Sequence, residues 1–315
     1  MQKKIIIAGG SGFLGGALSK HFCALDWDVV VLTRSPKSRS DSVREVAWDA
    51  HTLGDWVHKL DGATAVVNLT GRSVDCRYNA KNRREIMESR VNSTRVVGEA
   101  FALCENPPRV WLNSSTATVY KHTFGEPHDE SSRKMDSATH AKDAFSVEVA
   151  QAWERALNEA VTSHTRKVAL RTSMVLGLGR NSVFPVLRRL TRVGLGGKQG
   201  SGKQFVSWIH VEDFCRAVEW IISHEELVGP VNVCAPNPLP NVEMMELFRE
   251  VCGAPFGLPA TEWMLEIGAF FLRTETELIF KSRRVVPGRL IKSAFQFRFP
   301  FFRDAAEDLQ REMEA

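Results

Sequence analysis

The sequence predicts an α/β fold: a doubly wound parallel sheet with a small, mostly helical region at its C-terminal end. Three observations predict it. An apolar stretch from Ile5 to Ala8 runs straight into glycines spaced G-x-x-G-x-x-G, at Gly9, Gly12 and Gly15. Short, nearly continuous apolar runs then alternate with helical patterns through about two thirds of the chain. Such runs mark strands buried on both faces of a parallel sheet. Past Pro236 the alternation stops: Asn237-Pro238-Leu239-Pro240 punctuates the chain, and a stretch rich in Phe, Leu and Arg follows.

Taken in order, Ile5 to Ala8 is the first strand and Leu14 to Leu25 a helix. Val29 to Thr33, Val43 to Trp48, Thr64 to Leu69, Arg109 to Ser114 and Lys167 to Arg171 are five further strands. Helices are expected at Arg83 to Cys104, Ala144 to Thr162 and Val242 to Val251, and Gly194 to Gly202 reads as a mobile loop. Right-handed crossovers turn this alternation into a Rossmann-type sheet. The expected division is a nucleotide-binding domain over residues 1–235 and a cap over residues 236–315. Ligands of such sheets sit at the carboxyl ends of the strands, so the cap would complete a cleft for a small-molecule substrate.

Composition narrows the function classes. The chain has 315 residues, 43% of them hydrophobic, which is ample for a core, and a net charge of +4. Its apolar runs are too short to cross a bilayer, so no membrane association is expected. No basic run interleaved with aromatics points to nucleic acid. Six cysteines without a C-x-x-C pair fit reduced thiols, and with a start that enters a strand directly they predict a cytoplasmic protein without a secretory signal.

The glycine turn is the shape that holds a dinucleotide pyrophosphate. Gly9 permits the tight turn, Gly12 lets the backbone approach the phosphates and Gly15 lets the helix pack closely. The helix N-terminus then offers free N–H groups to the anion. The second strand ends at Leu32-Thr33-Arg34-Ser35, beside the adenosine ribose of such a ligand. An acidic residue there would favour NAD. Arg34 cannot accept the ribose hydroxyls but pairs well with a 2′-phosphate, so the expected cofactor is NADP(H), with Arg34 and Ser35 at the phosphate.

The opening G-x-x-G-F-L-G resembles the extended short-chain dehydrogenases/reductases, the group that includes nucleotide-sugar epimerases. Asn68-Leu69-Thr70-Gly71, Val91-Asn92-Ser93-Thr94, Asn113-Ser114-Ser115-Thr116-Ala117-Thr118-Val119-Tyr120 and Trp208-Ile209-His210-Val211-Glu212-Asp213 resemble later family segments. Ser89-Arg90-Val91, Trp153-Glu154 and Arg284 to Leu290 look like the atypical "epimerase family" branch, which carries a C-terminal domain of unknown function. The resemblance implies NADP(H) binding with an unassigned substrate. It implies that Gly9, Ser11, Gly12, Phe13 and Leu14 cradle the pyrophosphate and that Asp49 meets adenine. Leu69, Thr70, Gly71, Asn92 and Ser114 would line the rest of the cofactor, and Thr116 would orient a substrate oxygen. It also implies a possible homodimer through the helices near residues 83–104 and 144–162.

The usual Tyr-x-x-x-Lys pair is absent. The chain has two tyrosines, Tyr78 and Tyr120. Where the pair belongs, Ala141 to Ala150 offers Phe145, which has no ionisable oxygen, and no lysine one turn later. Three readings stay open. Another group, Lys142, His140, Glu148 or Tyr120, supplies acid/base chemistry; or the substrate supplies its own acidity; or the protein binds NADP(H) as a sensor. Hydride transfer moves no proton by itself, which is why the question matters. Gln204 is followed by Phe205 rather than the Arg that grips a nucleotide diphosphate, so Phe205 and Trp208 would suit a more apolar ligand or belong to the core. Arg77, Lys81, Arg83 and Arg84 read either as a solvated face or as an anion site at the cleft mouth. His210 and Asp213 lack a third metal ligand, and Asp213 or Glu212 is expected to cap the helix that follows.

Overall fold

The computed structural model describes residues 2–132, 144–179, 182–261 and 281–315. The first half contains β1 (Lys4–Ala8), α1 (Phe13–Ala24), β2 (Asp28–Thr33), β3 (Arg44–Ala47), β4 (Ala65–Asn68), α2 (Ala80–Phe101) and β5 (Val110–Thr116). There follow α3 (Ala144–Glu159), β6 (Arg166–Thr172), β7 (Met174–Leu176), α4 (Val183–Leu190), β8 (Phe205–Val206), β9 (Trp208–His210), α5 (Val211–Ser223) and β10 (Gly229–Val233). The C-terminal part carries β11 (Leu239–Pro240), α6 (Asn241–Cys252), α7 (Gly288–Lys292) and α8 (Phe302–Glu314).

Seven strands form one sheet in the order β10-β6-β5-β4-β1-β2-β3, every neighbouring pair parallel. The order reverses between β1 and β4, and that switch point opens a crevice at the strands' carboxyl ends. Alternation along the strands builds the two faces. Ile5, Ile7, Val29 and Val31 join Phe22 of α1 and Phe214 of α5. Ile6, Val30, Leu32 and Val66 join Val96 of α2 and Trp111. Each of these apolar side chains, removed from water, contributes about 1.5–3 kcal/mol.

Two expectations change. The sheet has a further edge strand, β10, that the pattern hid behind Gly229-Pro230; proline is tolerated there because an edge strand has unpaired N–H positions. The expected mobile loop is pinned instead: Leu258 N–H donates to the Gly194 carbonyl, Gly200 N–H to Ala260, and Ala260 N–H to Lys198, at 2.8–3.0 Å.

The C-terminal part does not pack alone. Met244, Phe248, Phe302 and Leu309 share one core with Leu176, Phe184 and Trp208. Buried Asp213 ties the same parts together by accepting the backbone N–H groups of Arg298 (2.9 Å) and Phe299 (2.8 Å). Among the described residues no helix is long and apolar enough to cross a membrane.

Candidate functional site

The strand register sets the site out in a row. Ala8 pairs with Leu32 on one side and with Asn68 on the other, and Asn68 pairs with Asn113. One to three residues beyond that line lie Arg34, the glycine turn, Thr70-Gly71 and Ser114 to Thr116.

At the turn, Gly9 has φ +71°, a left-handed conformation that glycine adopts without strain. A Cβ on Gly9 would lie 2.8 Å from Thr70 Oγ1, so the β4 end rests directly against the turn. A Cβ on Gly15 would overlap the Gly10 backbone; the helix therefore packs on the turn itself, and Gly10 is the residue that meets the strand, at Val31. Gly12 faces open space with only the Gly9 carbonyl near. Gly12 is also the N-cap of α1 and contributes no side-chain cap, which leaves the first N–H groups of the helix without partners. The buried Thr70 hydroxyl likewise has no partner. A tight cradle, uncapped helical N–H groups and an orphaned hydroxyl fit a dinucleotide pyrophosphate.

The neighbouring side chains divide between packing and ligand. Ser11 and Gly12 are exposed. Phe13 lies against Gly177 and Gly179, which have room for its ring because they lack Cβ atoms, and Leu14 packs on the core. Phe13 and Leu14 therefore offer a phosphate only their backbone. At the β2 end, Arg34 and Ser35 are exposed, and among the described residues Arg34 has no ion pair. Nearby Arg39 is neutralised by Asp41 and Glu45, so it does not compete for an incoming anion.

Asp49 is engaged by its own loop. Its carboxylate accepts Thr52 Oγ1–H (2.6 Å) and the N–H groups of Thr52 and His51 (2.8 Å each). These bonds, the Thr52 hydroxyl first, hold its pKa down to about 2. Asn92 is 3.2 Å from His51 in the same loop. Leu69 is half-buried in the core, and exposed Gly71 lies against Arg90: a Cβ there would be 3.0 Å from the guanidinium carbon. On β5, Ser114 and Thr116 are half-buried toward the crevice while Asn113 and Ser115 are buried. The Thr116 hydroxyl donates to Thr118 Oγ1 (2.9 Å) and accepts from Thr118 N–H (3.2 Å), so a substrate oxygen would exchange with a local bond.

The acid/base candidates fare differently. His140 and Lys142 lie outside the described residues. Glu148 is exposed. Tyr120 is excluded, because it is fully buried and locked: its hydroxyl donates to Asn232 Oδ1 (2.8 Å) and accepts from Arg171 (2.9 Å). Burial pushes the phenol pKa up, against the pull of Arg171. Arg171 is held by both Glu154 oxygens at 2.8 Å, and Ser115 Oγ donates to the same carboxylate at 2.6 Å. Burial opposes the Arg171 charge, and Glu154 more than offsets it, holding its pKa above the ordinary value. Phe145 is buried, with Tyr78 edge-on at 5.2 Å and Arg83 over its ring at 4.9 Å.

The structure decides one open reading and corrects one expectation. Trp208 is fully buried against Phe302 and belongs to the core. The cap of α5 comes from His210, whose Nδ1 accepts the Glu212 N–H at 3.1 Å, not from Asp213 or Glu212. Sequence reasoning gave Arg90 no role of its own. It stood in the Ser89-Arg90-Val91 stretch, but only its position one helical turn before Thr94 shows what it faces.

Comparison with known proteins places this geometry. Residues 5–234 match the model of the NAD dependent epimerase/dehydratase family, and residues 260–309 match a domain of unknown function, DUF1731. The chain is 28% identical to the epimerase family protein SERP0438 of Staphylococcus epidermidis, covering 98% of this chain and 99% of the relative. It is 29% identical to the bovine epimerase family protein SDR39U1, covering 94% and 96%. The crystal structure of human SDR39U1 with NADPH superposes with a TM-score of 0.86 at 25% identity, covering 98% of this chain and 99% of that one. With its Rossmann-like sheet, glycine cradle and C-terminal DUF1731 segment, this chain belongs to the NAD dependent epimerase/dehydratase family.

Proposed function

We propose that the protein is an NADP(H)-dependent oxidoreductase acting on a small carbonyl or hydroxyl compound, working without the Tyr-x-x-x-Lys pair. The observation that carries the reading is Arg34, an exposed cation at the β2 end with no ion pair among the described residues, in line with the glycine cradle. The NADPH in the human relative's structure supports the same cofactor. Gly9 to Leu14 hold the pyrophosphate through backbone N–H groups, Thr70 closes the cradle, and Arg34 with Ser35 takes the 2′-phosphate. Asp49 faces the adenine. Leu69 and Gly71 border the middle of the cofactor, with Asn92 on the adenine side and Ser114 on the nicotinamide side. The cofactor supplies hydride chemistry when bound. Thr116 orients the substrate oxygen by exchanging its bond to Thr118.

A second reading, a binding protein with little turnover, rests on Tyr120, whose hydroxyl is locked to Asn232, and on Phe145, which brings no phenol to the position where the pair belongs. The test is a panel of aldehydes and ketones added to NADPH-loaded protein while nicotinamide absorbance is followed. Turnover of one compound, lowered in Thr116→Val with NADPH affinity unchanged, supports the oxidoreductase. Stoichiometric NADPH binding with no turnover across the panel replaces it with the binding reading.

A further inference from the structure

Arg90 sits one helical turn before Thr94 on α2; its carbonyl accepts the Thr94 hydroxyl at 2.8 Å, and Thr94 Oγ1 is 3.2 Å from Asn113 Oδ1 in the middle of β5 and 3.5 Å from Asn68 Nδ2 at the end of β4. Arg90 therefore lies about one turn, roughly 5 Å, past the end of β4, and its guanidinium lies against Gly71, just beyond that strand. The group is held rigidly. Trp153 lies under it at 5.1 Å, bare Gly71 lies against it, and Nη1 donates to the carbonyls of Arg72 and Ile86 at 3.0 Å each. Among the described residues Nε and Nη2 have no partner, and no carboxylate faces the group. Neighbouring Arg72 differs: it pairs with Glu85.

A cation withdrawn from most of its water and left without a counter-ion is costly, and an anion delivered by a ligand relieves that cost. Burial draws the Arg90 pKa down to about 10, so it stays charged at neutral pH. The cofactor is not the source of that anion. Its pyrophosphate belongs to the glycine turn and its 2′-phosphate to Arg34, both on the far side of Thr70. Arg90 contacts neither of those groups; it lies against Gly71 and Trp153.

We propose that Arg90 is the receptor for an oxyanion on the substrate, a carboxylate or a phosphate, gripped through its free Nε–Nη2 edge beside the nicotinamide. The proposal rests on the NADP(H) reading above. A guanidinium fork suits either anion bidentately, and the class of substrate proposed carries that anion near its reacting carbonyl or hydroxyl, as in 2-oxo and 2-hydroxy acids or their phosphorylated counterparts.

The test loads the protein with NADPH, which fills the other two anion sites, and titrates it with pyruvate, with methyl pyruvate and with inorganic phosphate while the melting temperature is followed. Pyruvate or phosphate should raise it saturably, and the more effective of the two identifies the oxyanion. Uncharged methyl pyruvate should not. In Arg90→Met the anion affinity should fall about tenfold or more, the scale of a lost charge-assisted bond, while NADPH affinity stays within about twofold of wild type. Arg90→Lys, which keeps the charge and the fold but loses the fork, should retain part of the effect. Wild-type insensitivity to both anions, or an equal response in Arg90→Met, overturns the proposal. Loss of NADPH binding in Arg90→Met overturns it too, by assigning the cation to the cofactor. Failure of wild type to bind NADPH at all would instead remove the reading beneath it.

Discussion

The two sides of β5 treat a withdrawn arginine in opposite ways. On the β6 side, Arg171 meets the Glu154 carboxylate through two bonds and a tyrosine through a third. On the β4 side, Arg90 meets two carbonyls and a tryptophan face. Adjacent residues of α3, Trp153 and Glu154, serve the two guanidiniums. The difference teaches which cation holds the fold and which awaits a ligand: a charge met by a carboxylate and bonded at all three nitrogens is structural, and one bonded at a single nitrogen and by no carboxylate among the described residues is addressed to something else.

The largest effect that would break this contrast lies at Glu154. Glu154→Gln leaves Arg171 buried without its counter-charge and should cost about 3–5 kcal/mol, read by denaturant unfolding. Arg90→Met should change stability by about 1 kcal/mol or less, since no carboxylate among the described residues is stranded. Equal losses at the two sites would erase the distinction.

His210 sharpens it, as a buried group that avoids the cost by staying neutral. Burial pulls its pKa down to about 4, with Asp308 and Glu212 acting weakly the other way. The unfolded chain takes up that proton near pH 6.5, so between about 6.5 and 4 the unfolded state binds more protons. Stability therefore falls as pH drops through that window, on the order of 3 kcal/mol in all. His210→Asn keeps a capping side chain and should flatten the slope relative to wild type; parallel profiles would show that His210 is not the group responsible.

The smallest effect concerns Tyr120. Tyr120→Phe removes one hydroxyl from a matched network and should cost about 1–2 kcal/mol with NADPH affinity and any turnover unchanged. Loss of turnover at full cofactor occupancy would return Tyr120 to the chemistry.

What the sequence made legible follows from which interactions are local. The glycine turn, Arg34 and six of the seven main-sheet strands were readable because each depends on a few consecutive residues: spacing sets the turn, and apolar runs set buried strands. β10 was hidden because Gly229-Pro230 interrupts an edge strand that does not need a full ladder. The role of Tyr120 was not readable, since its partners Arg171 and Asn232 come from distant strands. Arg90 was visible only as a family mark; its surroundings, Gly71, Trp153 and no carboxylate among the described residues, are settled by tertiary packing. His210 as a cap was missed because capping is sought first in Ser, Thr, Asp and Asn.

The account turns on Arg34 reading a 2′-phosphate, so calorimetry of NADPH and NADH against wild type and Arg34→Asp tests it most directly. Wild type should bind NADPH about 10- to 100-fold more tightly, the scale of a charge-assisted phosphate contact, and Arg34→Asp should lose or reverse that preference. Equal affinities in wild type, or a preference that survives the substitution, would contradict it.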